Sequence, residues 1–73
     1  MNYKELQIVV LIRDVPEHGL RRDDVGTIVH LHAPDAFEVE FMSASGRTHA
    51  VITLTAADVR AAEDRDLVAV RSL

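Results

Sequence analysis

The sequence predicts a mainly β protein, a small barrel of about five antiparallel strands with one short helical turn before the last. Three observations carry this. The polar, turn-prone Asp23-Asp24 gives way at once to the β-branched run Val25-Gly26-Thr27-Ile28-Val29-His30, with a single glycine just inside it. A glycine there weakens a plain strand and marks a bulge, a sharp bend or a close backbone approach, which a very small barrel needs in order to close. Phe37-Glu38-Val39-Glu40-Phe41 alternates apolar and charged residues with the period of a half-buried strand. Leu6 to Arg13 is apolar and rich in β-branched residues but too short for an ordinary helix.

Along the chain, the first strand is expected over Leu6 to Arg13, with Leu6, Ile8, Val10 and Ile12 on one face and Gln7, Val9, Leu11 and Arg13 on the other. Both faces are apolar in the middle. One fills the core, and the other, bearing Val9 and Leu11, calls for cover by the C-terminal segment or a second chain. Asp14 to Asp24 is a long connection, because Pro16 and Gly19 interrupt any regular element. Gly19 is expected at positive φ, with Val15 and Leu20 as apolar anchors. The second strand spans Val25 to His32, and Ala33-Pro34-Asp35 turns the chain, with Pro34 ending the ladder. Ala36 to Met42 is the third strand. Ser43 to Arg47 is a hairpin loop with a glycine near its end, and Thr48 to Leu54 is the fourth strand. Thr55 and Asp58 are spaced as a capping box, so a helix starts there, either a single 3₁₀ turn or a run through Ala62 into Glu63. Leu67 to Arg71 is expected to be the fifth strand.

Four or five short strands, a long early loop and a helical turn before the last strand suggest an SH3-like barrel. An OB-fold usually needs more chain. The 73 residues form one domain, residues 1–73, and a chain of this length buries only about 60% of its unfolded surface. With no cysteine and only Tyr3, Phe37 and Phe41 as aromatics, the core must be aliphatic, with no thiolate zinc site or disulfide to staple it.

Charge narrows the function classes. The 12 acidic residues outnumber the 8 Lys and Arg, giving a net charge of −4, which argues against the basic face of a nucleic-acid binder. No cationic, apolar leader and no span of about 20 apolar residues is present, so the expected location is the cytoplasm.

Several groups of residues invite a chemical reading. His30 and His32 share one strand face and His49 lies on another strand, a set that could hold zinc. Without cysteine or a zinc-binding helix motif, exposed strand-end histidines are the simpler account. Glu38 and Glu40 share a face and suit an acidic stripe presented to a basic partner better than acid–base chemistry, which needs environments that split two pKa values. Arg21 and Arg22, with Arg13 and Lys4, are the only basic cluster, cancelled locally by Asp23 and Asp24. Asp14, Glu17 and His18 resemble the acidic specificity loop of peptide-binding SH3 domains, but the aromatic cluster that grips polyproline is missing. Ser43 and Ser45 lie in no nucleophile elbow, and there is no phosphate-cradling glycine loop. No catalytic residue and no cofactor is assigned.

The pieces Asp14-x-Pro16-Glu17-His18-Gly19-Leu20, Asp24-Val25-Gly26-Thr27-Ile28-Val29, Phe37-Glu38-Val39-Glu40-Phe41, Gly46-Arg47-Thr48, Thr53-Leu54 and Asp58-Val59-Arg60 together resemble a small bacterial family catalogued as domain of unknown function 4926. The resemblance covers about residues 4 to 60. It implies an SH3-like barrel without enzymatic activity, and a gene context beside toxin-like or nuclease-like proteins. In that context the chain is an antitoxin or immunity-type partner. One departure stands out: Asp23 occupies a place where the family pattern has glycine, so the turn there is expected to be less tight or more strained. The segment from Ala61 to Leu73 lies outside the resemblance.

The function expected is therefore that of a non-enzymatic protein-interaction module, with Val9, Leu11, Glu17, His18, Arg21, Arg22, Glu38 and Glu40 as its contact residues. The alternatives are a nucleic-acid-binding barrel using Lys4, Arg13, Arg21, Arg22 and Arg47, or a self-assembling homodimer.

Overall fold

The computed structural model describes residues 3–32 and 34–66. Five antiparallel strands form one sheet: β1 (Ile8–Leu11), β2 (Val25–His32), β3 (Ala36–Met42), β4 (Thr48–Thr55) and β5 (Val59–Ala61), in the order β4-β3-β2-β1-β5. The only helical elements among the described residues are two 3₁₀ turns, Pro16–His18 and Ala56–Asp58. The strands β2, β3 and β4 agree with the sequence reading, as does the short turn ahead of the last strand; the pairing of β5 with β1 is new.

The core is aliphatic with two phenylalanines. Val9, Leu11, Val15, Leu20, Ile28, Phe37, Val39, Phe41, Ile52, Leu54 and Val59 form one buried cluster, with Tyr3 and Ala50 packed against it. Tyr3 meets Phe37 edge-on, with ring centroids 5.1 Å apart. Register explains which residues face inward. Ile28, Val39 and Ile52 are successive partners across β2, β3 and β4, and Phe37 faces Leu54 in the same way. The side chains of such cross-strand rows share a face.

Gly26 is a point of close approach between β2 and β3. A Cβ built there would lie 2.5 Å from Val39 Cγ1 and 2.8 Å from Phe41 Cε1, so only hydrogen fits. The bulge itself comes later, where the β2–β3 register shifts between Ile28 and His30. The long connection closes on itself through a Val15–Leu20 bridge, with both side chains buried and Gly19 at φ +68° between them.

Three expectations are corrected and one is decided. The first strand is shorter than Leu6 to Arg13: Leu6 takes φ +70°, which stops the extended run, and the Ile12 N–H donates to the Asp58 carbonyl rather than to the ladder. Val9 and Leu11 need no outside cover, since both are 0% exposed within the chain's own core. Of the two helical readings, the single 3₁₀ turn is the one that forms, because Val59 is already extended (φ −138°) and pairs with Leu11. The fifth strand is Val59–Ala61, and the segment Leu67 to Arg71 expected to form it lies outside the described residues.

Candidate interaction surface

The outer face of the sheet is assembled by register. Ile8, Thr27, Glu40 and Val51 are successive partners across β1, β2, β3 and β4, so they form one row. The next row runs His30, Glu38, Thr53, and the one after it His32, Ala36, Thr55. Ile8 is 43% exposed and Val51 is 48% exposed, at opposite ends of the first row. Glu40 sits half-buried between them, and Glu38, also half-buried, lies in the next row. The result is an acidic centre with apolar flanks, and the exposed Val29 and Met42 belong to the same two central strands.

Each acidic residue has a polar neighbour. Glu38 lies 3.6 Å from His32 Nε2, and Glu40 accepts a hydrogen bond from the Thr48 hydroxyl. His30 and His32 meet edge-on at 4.6 Å between ring centroids, and Glu5 lies 3.9 Å from His30 Nδ1. The third histidine of the proposed zinc set is elsewhere: His49 Nε2 donates to the His18 carbonyl oxygen at 2.9 Å. Among the described residues no group of three His, Cys, Asp or Glu side chains could hold a metal ion.

The other expected contact residues separate into a second region. Glu17 and His18 form the exposed first 3₁₀ turn. Together with Arg13 and Val15 they line a groove of about 290 Å³ whose other wall is Val51 to Leu54 of β4. Arg21 and Arg22 are exposed. Their backbone N–H groups donate to Asp24 and Asp14, which fixes the loop's path and leaves the arginine side chains outward of it. Val9 and Leu11, expected at the surface, are withdrawn from it by their burial.

Shifted titration belongs to two ion pairs. Arg13 Nε donates to Asp58 at 2.7 Å. Burial pushes the Asp58 carboxyl up, but hydrogen bonds from Arg13 and from Thr55 outweigh it and hold the group below its ordinary range. The same hydrogen bond raises Arg13. Arg60 grips Asp66 in a fork, at 2.8 and 2.9 Å, and this hydrogen bonding holds Asp66 well below the usual carboxylate range. Both pairs join separate stretches of chain: Asp58 belongs to the capping box with Thr55, and Asp66 also accepts from the Glu63 N–H. Their placement explains them as structural ties. Sequence reasoning missed Arg13–Asp58 because partners 45 residues apart carry no local signal, and missed Arg60–Asp66, six residues apart, because it forms where the chain turns after β5, a strand too short to read.

A pocket of about 350 Å³ opens beside the β2–β3 turn, lined by Tyr3, Leu31, His32, Pro34, Asp35, Ala36, Phe37 and Ala56. No helix among the described residues is long and apolar enough to cross a membrane.

Residues 5–61 match the model of a family described as a domain of unknown function, DUF4926. No curated protein and no solved structure matches the chain.

Proposed function

We propose that this chain, which belongs to the DUF4926 family, is a non-enzymatic interaction module in the form of an SH3-like barrel, and that it binds a basic protein surface on the outer face of its sheet. The observation that carries the reading is the register row Ile8–Thr27–Glu40–Val51, which sets one carboxylate between exposed aliphatic side chains, with a second, Glu38, in the adjoining row. Apolar flanks supply contact area, and a central pair of acids supplies orientation and on-rate against a cationic partner. The net charge of −4 steers encounter in the same sense. Two of the cations in the chain, Arg13 and Arg60, are neutralised by Asp58 and Asp66, which weakens the case for a phosphate-binding face.

The partner we favour is a toxin-like protein encoded beside this chain, whose basic active surface the acidic face would cover from the cytoplasm. Co-purification of the two products tests this. A one-to-one complex that persists at micromolar concentration is expected, and Glu38→Lys with Glu40→Lys should abolish it. No complex with the neighbouring product, or a complex indifferent to both substitutions, contradicts the reading.

A further inference from the structure

Apart from the outer face, the sheet has an edge that is unusual in what it lacks. β4 is an eight-residue edge strand, Thr48–Thr55, and it contains no Lys, Arg, Asp, Glu or Pro. Edge strands normally carry such residues, because an exposed row of N–H and C=O groups templates pairing with another chain. The opposite edge, β5, is only three residues long. Among the described residues, no backbone group between Ala50 and Leu54 hydrogen-bonds to anything beyond β3. The nearest cover is the 13–18 loop, tied to the strand by His49 on His18. Beside Val51 to Leu54 it leaves the open groove of about 290 Å³.

We propose that this edge pairs antiparallel with β4 of a second copy of the chain, joining two five-stranded sheets across a two-fold axis. Three features select a second copy over a foreign strand. The strand is uncharged, so it meets itself without the like-charge repulsion that a net charge of −4 imposes on the rest of the surface. Val51, half exposed near the middle of the strand, lies close to the axis and packs against its own counterpart. The two ends are complementary. Arg47 precedes the strand at one end, while Asp35 flanks it at the other, where Ala36 pairs with Thr55. A two-fold antiparallel arrangement brings the basic end of each strand to the acidic end of its mate, twice. The dimer takes up Val51, one apolar flank of the outer face, and leaves Glu38 and Glu40 open, so the inference goes beyond the partner proposed above: replacing Glu38 and Glu40 tests that partner, and Arg47→Glu tests the edge alone.

Sedimentation velocity on the full chain between about 10 μM and about 1 mM tests it, with hydrogen exchange at the same concentrations. A reversible monomer–dimer equilibrium is expected, together with slowing of the backbone amides within Ala50 to Leu54 as concentration rises. Val51→Lys, which sets like charges across the axis, should weaken association by about tenfold or more. Arg47→Glu, in the exposed hairpin loop, should weaken it too and decides the matter if Val51→Lys fails to fold. A monomer throughout the range, or a dimer indifferent to the substitutions that fold, overturns the proposal.

Discussion

Gly26 has no room for a methyl group. With Val39 Cγ1 and Phe41 Cε1 inside 3 Å of the position a Cβ would take, Gly26→Ala should destabilise the fold by about 1–3 kcal/mol, the usual cost of overpacking a tight core. Urea unfolding at neutral pH measures it. A cost below about 0.5 kcal/mol would mean that β2 and β3 separate more easily than their packing indicates. This glycine was legible in the sequence as a place where a strand is interrupted for a reason, although the reason is close approach and not the nearby bulge. Asp23 was legible in another way. It stands where the family resemblance led us to expect glycine, and it adopts φ +77°. Aspartate tolerates that region better than most residues but still pays for its Cβ. Asp23→Gly should therefore leave stability unchanged or raise it by up to about 1 kcal/mol, because relief of strain competes with the added freedom of the unfolded glycine. Asp23→Val should lower it clearly, and thermal unfolding of the two variants side by side checks the sign. Leu6 takes a similar left-handed conformation while 76% exposed, and nothing in Lys4-Glu5-Leu6-Gln7 announces it. The tie that holds it, Leu6 N–H to the Ile28 carbonyl at 2.7 Å, spans 22 positions.

At the scale of elements, β2, β3 and β4 were readable because their turn residues and β-branched runs are local signals. Gly46 at φ +86° closes the β3–β4 hairpin where the sequence placed a glycine. β5 was not readable. Val59-Arg60-Ala61 is too short to show a period, and it is a strand only because β1 offers it an edge. The capping box was readable, and it has an electrostatic consequence. Asp58 is held below its ordinary pKa in the folded chain, chiefly by Arg13 and Thr55 acting against burial, and Asp66 is held low by Arg60. A carboxyl group whose folded pKa lies below its unfolded value, near 4, contributes its stability in full above that unfolded value. The contribution disappears as pH falls through the folded one. The melting temperature should thus be flat between about pH 7 and about pH 5 with respect to these groups and fall below about pH 4. Asp58→Asn should lose about 1 kcal/mol at pH 7, in line with loss of a cap, and show a shallower acid decline. An unchanged acid decline in that variant would assign the effect to other carboxylates.

At the scale of the molecule, the sequence led to the correct class of sheet but to the wrong inner face of β1. Ile8, Val10 and Ile12 match Val9 and Leu11 in hydrophobicity, so composition gives no preference between the faces. The fold puts Val9 and Leu11 in the core cluster and leaves Ile8 and Ile12 at 43% and 40% exposure, while Val10 on their face is buried outside that cluster. The candidate surface inherits that outcome: Glu38 and Glu40 were legible from their alternation, whereas Ile8 and Val51 join them only through cross-strand register. The central claim is that this outer face works by holding another protein. Titration calorimetry of the purified chain against the product of the neighbouring gene tests it most directly. Saturable micromolar or tighter binding that weakens with added salt, and that disappears when Glu38 and Glu40 are both replaced by lysine, is the predicted result. No heat of binding at low salt, or an affinity unmoved by those two replacements, would contradict it.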